Sequence, residues 1–308
     1  KSIRQIFSLH DNTPSVATLI LTGLLPITAI IHKRMLGSFM RICSSPHSVE
    51  WRITKRQLAL KHSSQPSFVN RIKAVLAKYN LPSVFAIFDN PISKNHWKDI
   101  CDSAIDQYWC KSIIETSLLY PSLRYLNVHR YSPNVPHPVL ALTSLSYHDC
   151  LRLPTKCQLL LGTYTLQSNR KKFNQTHNPI CLLCKHTEET REHFLLQCES
   201  LHHTRLPIVE EIVSVLHNIR PHKPNLDGSH ALLQVVLDAS ALSGYDELDI
   251  DTRSRIEFLT RRLCYTLHMA RYRLLNNLPT RTRHGLYNSP YPNLDQYSLG
   301  GAPFIGGT

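Results

Sequence analysis

The 308-residue chain predicts a mainly α protein: helical bundle-like regions, one small CCHC zinc knuckle and a disordered C-terminal tail. Three observations carry that expectation. Apolar residues recur at steps of three and four through 67–79, 93–119 and 251–275, the period of helices that bury one face. Three of the nine cysteines fall in one regular array, Cys181-x2-Cys184-x8-His193-x4-Cys198. Residues 279–308 have no period and close with four glycines in nine positions. A composition of 42% hydrophobic and 19% charged residues is otherwise that of a globular chain.

In chain order, the run from Asn12 to Ile31 is free of charged residues and histidine and has the length of a membrane span. Its threonines and serine, with Pro26 breaking its middle, favour two short buried helices instead. The run begins too far from a basic n-region, and lacks a clear cleavage site, to read as a secretion signal, so an intracellular place, nucleus or cytoplasm, is expected and no membrane partner. The chain opens on Lys1, as a piece of a longer protein would. Ser67 to Tyr79 places Phe68, Ile72, Val75 and Leu76 on one face, and Pro82 stops the helix. Ser93 can cap the next helix, whose stripe runs Trp97, Ile100, Cys101, Ala104 and Tyr108. Residues 132–138, SPNVPHP, form the expected internal boundary. The chain then divides into a helical region at 1–131, a helical segment with the knuckle at 139–205 (knuckle 178–205), a helical region at 206–278 and the tail. In the last helix Ile256, Leu259, Leu263, Leu267, Ala270 and Leu274 form a seam, flanked by Arg255, Arg262 and Arg273 on one side and Arg253 and Arg271 on the other.

The six cysteines outside the array show no paired spacing, which argues against a disulfide framework and fits buried thiols in a reducing compartment better. The array itself has the chemistry of a closed Zn2+ site. A Cys-x2-Cys turn brings two thiolates onto one ion, and a facing element supplies the second pair. Thr187 or Thr190 can cap a short helix with an acidic start (Glu188, Glu189, Glu192), with His193 early on it and Cys198 near its end. His186, His202 and His203 are rivals for the histidine place. Four protein ligands leave no open position, so the ion is expected to be structural.

Charge points to a polyanionic partner. The formal net charge is +13, and residues 151–180 carry five basic side chains and no acidic one. Just before the knuckle, Arg170, Lys171 and Lys172 can meet phosphates, while Tyr164 and Phe173 can stack on unpaired bases. Arg191 and Arg205 can extend the strip. RNA or DNA is the expected partner.

Residues 159–205, with Cys181, Cys184, Glu189-Thr190, His193, Cys198 and Arg205, resemble the zinc-binding segment downstream of the reverse transcriptase domain in non-LTR (LINE-type) retrotransposon proteins. Residues 20–39, ILTGLLPITAIIHKRMLGSF, resemble the helices that follow the polymerase thumb of that family. Where relatives carry Pro and Gly, this chain has Leu182 and Lys185. The resemblance implies a zinc-stabilised region that helps a parent RNA-directed DNA polymerase hold template RNA or target DNA, with the upstream reverse transcriptase domain as its partner. The family's metal-binding Asp-Asp pair is absent, so no polymerase activity is expected of the chain and no catalytic residue is assigned. A protein-interaction scaffold derived from a transposon is the alternative. A restriction-like nuclease built on Asp227 and Asp238 is weaker, because no basic partner accompanies them. Asp246, Glu247, Asp249 and Asp251 miss the glycine a calcium loop needs and read as a turn before the last helix.

Overall fold

A computed structural model of the chain describes residues 2–60, 66–144, 146–219 and 229–277; the tail at 279–308 and Asp227 lie outside them. Among the described residues there is no β-strand, only the isolated bridges Ser132–Val135 and Ile180–Glu188. The expected mainly α architecture is the one found.

Helix α1 is Ser2–Ile6, α2 Ser15–Thr22 and α3 Ile27–Cys43. The break between α2 and α3 falls at Gly23, whose φ of 68° belongs to the left-handed region, and at Pro26. A Cβ at Gly23 would stand 2.3 Å from the Val135 carbonyl oxygen, so only glycine fits. Helix α2 is buried as expected, but α3 runs on for 17 residues and exposes Ile27, Ile30 and Ile31 on its first turns. No single described helix is long and apolar enough to cross a membrane; α2 and α3 pass together on length and composition, with a bend of 66°.

Helix α4, Val49–Leu60, buries only Thr54. Helix α5, Phe68–Lys78, is capped by Ser67, which accepts from the Asn70 amide, and α6, Val84–Asp89, by Ser83 in the same way. Helix α7, Lys94–Leu118, begins at Ser93, although that hydroxyl makes no cap bond. Beyond it come α8 (Pro138–Ala141), α9 (Tyr147–Leu160), α10 (Gln167–Phe173), α11 (His202–Ile219), α12 (Ser229–Asp238) and α13 (Ile250–Asn276). Asp249, from the acidic turn, caps α13 by accepting from the Thr252 amide at 2.8 Å.

Two hydrophobic cores result. The smaller gathers Leu36, Phe39, Ile72, Leu76, Trp97 and Ile105 from α3, α5 and α7. The larger gathers α2, the far end of α7, α9, the knuckle and α11 to α13. The cores therefore divide along α7, where Ile105 belongs to one and Ile113 to the other. The proline-rich stretch expected as a boundary is docked instead: Asn134 and His137 amides donate to Gly23 and Leu21 carbonyls at 2.7 and 2.9 Å. Under the larger core, α9 and α13 are clamped by buried ion pairs. Lys156 Nζ reaches Glu257 Oε2 at 2.5 Å, and Arg261 grips both Asp149 oxygens at 2.9 Å.

Candidate metal centre

The knuckle folds as two short arms and a turn. The Ile180–Glu188 bridge joins the arms, and the Cys181 amide donates to the Thr187 carbonyl at 2.8 Å. Lys185 closes the turn, its amide bonded to the Cys181 carbonyl at 2.9 Å and its backbone left-handed at φ 61°. Of the two threonines that could cap the following turn, Thr190 does so, accepting from the His193 amide at 3.1 Å.

That turn, His193–Gln197, is π-helical, and the Cys198 amide donates to the His193 carbonyl at 2.7 Å. The widening has a geometric purpose. Five residues advance an α-helix by about 140° past a full turn, which would point His193 and Cys198 apart. An i to i+5 bond closes one turn over about five residues and returns both to nearly the same side.

All four ligand atoms of Cys181, Cys184, His193 and Cys198 lie within 4.8 Å of one another. Cys181 Sγ and Cys198 Sγ are 3.9 Å apart, and Cys184 Sγ is 3.4 Å from His193 Nε2. A tetrahedral Zn2+ shell with Zn–S of about 2.3 Å sets sulfurs about 3.8 Å apart, so donor set and spacing both fit. The Cys3His cluster can hold a metal ion such as zinc. His193 Nδ1 sits 2.8 Å from Thr187 Oγ1; with Nε2 turned to the cluster, Nδ1 carries the proton and donates to that hydroxyl, which fixes the ring. The rival His186, His202 and His203 are exposed and outside the cluster.

Hydrogen bonds tune the sulfurs. The amides of Leu183 and Cys184 point at Cys181 and that of Ser200 at Cys198, all favouring thiolate. Without an ion, the thiols share protons: the hydrogen bond to Cys198 and burial push the Cys181 thiol up to about 12, and that same bond draws Cys198 down. Arg205 is buried, feels the charge of Cys198, and leaves its Nη1 without a hydrogen-bond partner. It is thus turned inward beside Cys198 rather than extending a surface strip.

Two other residues expected at a nucleic-acid surface are turned inward. Tyr164 is buried, stacked on Phe194 at 5.5 Å with its hydroxyl 2.7 Å from His268 Nδ1, so no base can reach its ring. Arg191 donates Nη1 to the carbonyls of Leu160, Leu159 and Ser122 at 3.0, 3.2 and 3.3 Å and lies over Tyr125, closing the C-terminus of α9. The Phe173 side chain lies outside the described residues. Lys171 and Lys172 are exposed on α10, and Arg170 is half-buried, its pKa lowered by burial and by Arg271.

The residue that ties these parts together was not visible in the sequence as such. Glu189, expected to complement the dipole of the knuckle's own helix, is buried and instead caps α10, accepting from the Gln167 amide at 2.8 Å. Its carbonyl accepts from Ser168 Oγ at 2.7 Å, and Arg271 of α13 grips its two carboxylate oxygens at 2.8 and 3.0 Å. Knuckle, cationic helix and last helix thus meet at one carboxylate. Asp238, the one described acid of the nuclease pair, is fully buried and accepts from the Asn127 amide and from the Ser240 hydroxyl and amide. No protein-family model matches the chain, and neither a curated protein nor a solved structure does.

Proposed function

We propose that the chain is a zinc-stabilised nucleic-acid-binding region in which the knuckle holds a cationic helix against phosphates. The observation that carries this is the Glu189 junction, where the segment bearing the four ligands caps the helix bearing Arg170, Lys171 and Lys172. Bound Zn2+ would supply a closed structural cross-link there. Cys181, Cys184, His193 and Cys198 hold it, Thr187 orients the imidazole, and Arg205 balances the charge. Lys171 and Lys172 then present ammonium groups to solvent from a helix whose start is fixed. The likeness of residues 159–205 to the segment downstream of LINE-type reverse transcriptases supports the same reading, with template RNA or target DNA as the polyanion and an upstream polymerase as the working partner.

Its test is the salt dependence of binding to single-stranded RNA and to duplex DNA. Each phosphate neutralised contributes about 0.9 to the slope of log K against log salt on duplex and about 0.7 on single strands. Lys171→Ala with Lys172→Ala is expected to lower that slope by about 1.4 on single strands and about 1.8 on duplex, at unchanged zinc content. Affinity that does not vary with salt removes the proposal. A protein-interaction scaffold is the second reading, favoured by α4, whose outward stripe of Val49, Ile53 and Leu60 is 59%, 51% and 67% exposed.

A further inference from the structure

Three aromatic rings of the smaller core's rim meet at near right angles around one ammonium group. Tyr79 and Tyr108 lie edge to face with centroids 5.2 Å apart at 89°, and Tyr108 and Trp109 do the same at 5.5 Å and 82°. Lys78 Nζ stands 4.7 Å from the Trp109 centroid, 4.8 Å from Tyr108 and 5.7 Å from Tyr79. The walls are pinned: Trp109 Nε1 donates to the Tyr79 hydroxyl at 3.0 Å, and that oxygen lies 2.7 Å from His32 Nδ1. Tyr79 is buried, whereas Tyr108 and Lys78 are exposed, so the box has a floor and an open mouth.

We propose that Tyr79, Tyr108 and Trp109 form a binding site for a trimethylammonium group, closed in this conformation by the chain's own Lys78. The negative ring faces attract any cation placed over them within about 6 Å. They discriminate among cations by hydration. A primary ammonium is compact and strongly hydrated, and it surrenders hydrogen bonds to water on entering; a trimethylammonium group has none to surrender and covers all three rings with methyl groups. Lys78 occupies the box because it is tethered there. It is the last residue of α5, beside Tyr79, and its side chain is exposed to solvent. A tethered competitor acts at an effective concentration of the order of millimolar, so it weakens a free ligand without abolishing its binding. Choline and Nε-trimethyllysine carry the same headgroup on different stems, and their relative affinity separates a small free ligand from a modified protein side chain.

The experiment is calorimetric titration of the full chain with tetramethylammonium, choline, Nε-trimethyllysine and lysine. Lys78→Ala is expected to bind the three quaternary probes about tenfold more tightly than the native chain, and lysine far more weakly than trimethyllysine. Adding Tyr108→Leu should cost at least about fivefold in affinity, while Tyr108→Phe, which keeps the ring, should not. Equal binding of choline and trimethyllysine supports headgroup recognition alone; tighter trimethyllysine identifies the side chain as the source. The proposal is overturned if Lys78→Ala binds no quaternary probe, if lysine binds as well as trimethyllysine, or if Tyr108→Leu leaves affinity unchanged while melting like its parent.

Discussion

Lys185 holds a left-handed backbone at the tip of the knuckle, where a side chain costs about 1 kcal/mol or more relative to glycine's freedom. Lys185 is exposed and is not a ligand. Lys185→Gly is therefore expected to raise stability by about 0.5–1 kcal/mol after the unfolded-state entropy of glycine is counted, with zinc content unchanged in the purified protein. His268 shows the opposite kind of strain. Burial, then the charge of Arg271, holds its imidazole down at about 4 from an ordinary value of 6.5. The neutral ring is thus favoured in the folded state, so its stabilisation is whole above pH 6.5 and is lost as pH falls towards 4. The loss is on the order of 3 kcal/mol, and denaturant titrations across that window should run flatter in His268→Asn than in the native chain. At this scale the Cys3His cluster was legible and its neighbours were not. Four donors within 18 residues of chain define a site by local spacing alone. Tyr164, Arg191 and Arg205 look like surface groups in the sequence because what buries them comes from elsewhere: His268 lies 104 residues from Tyr164, and Ser122 69 from Arg191.

The elements divide the same way. Periodicity located α5, α7 and α13, and Pro26 located the break between α2 and α3, because each signal is contained in the segment that shows it. Periodicity could not say which flank of α13 would be wet. Arg271 and Arg253 share one flank by sequence, yet Arg271 is buried against Glu189, and Arg261, singled out by no pattern, is sunk against Asp149. Replacing one partner of such a pair leaves the other charge buried and alone, at about 3–5 kcal/mol. Glu189→Gln is accordingly expected to lower unfolding free energy by about 3 kcal/mol, and to fray α10 as well, since its first amides lose an ionised cap. Hydrogen exchange at residues 167–173 distinguishes the two effects. Adding Arg271→Met should recover part of the loss without restoring protection in α10; full recovery of both would remove Glu189 from its role as a cap.

For the whole molecule the decisive feature is that one helix serves two cores. The four ligands belong with the larger core: Cys181 and Cys198 pack there with Phe194, Leu195 and the seam of α13. Two of the three tryptophans report elsewhere, and the third reports from the seam between the cores. Trp97 is enclosed in the smaller core and donates to the Leu36 carbonyl at 3.1 Å, Trp51 stacks on Phe88, and Trp109 sits where the cores meet along α7. Removing an ion bound at this cluster would withdraw a cross-link from the larger core alone, because structural zinc sites contribute their binding energy directly to folding. Chelation should therefore lower the far-ultraviolet melting transition by more than about 10 °C while the tryptophan emission transition moves much less, and Cys198→Ser should reproduce the split without chelator. The smaller core can stand this because its contacts among α3, α5, α6 and the first half of α7 involve no ligand. If instead both signals shift together at every zinc concentration, α7 transmits unfolding end to end and the two cores behave as one cooperative unit.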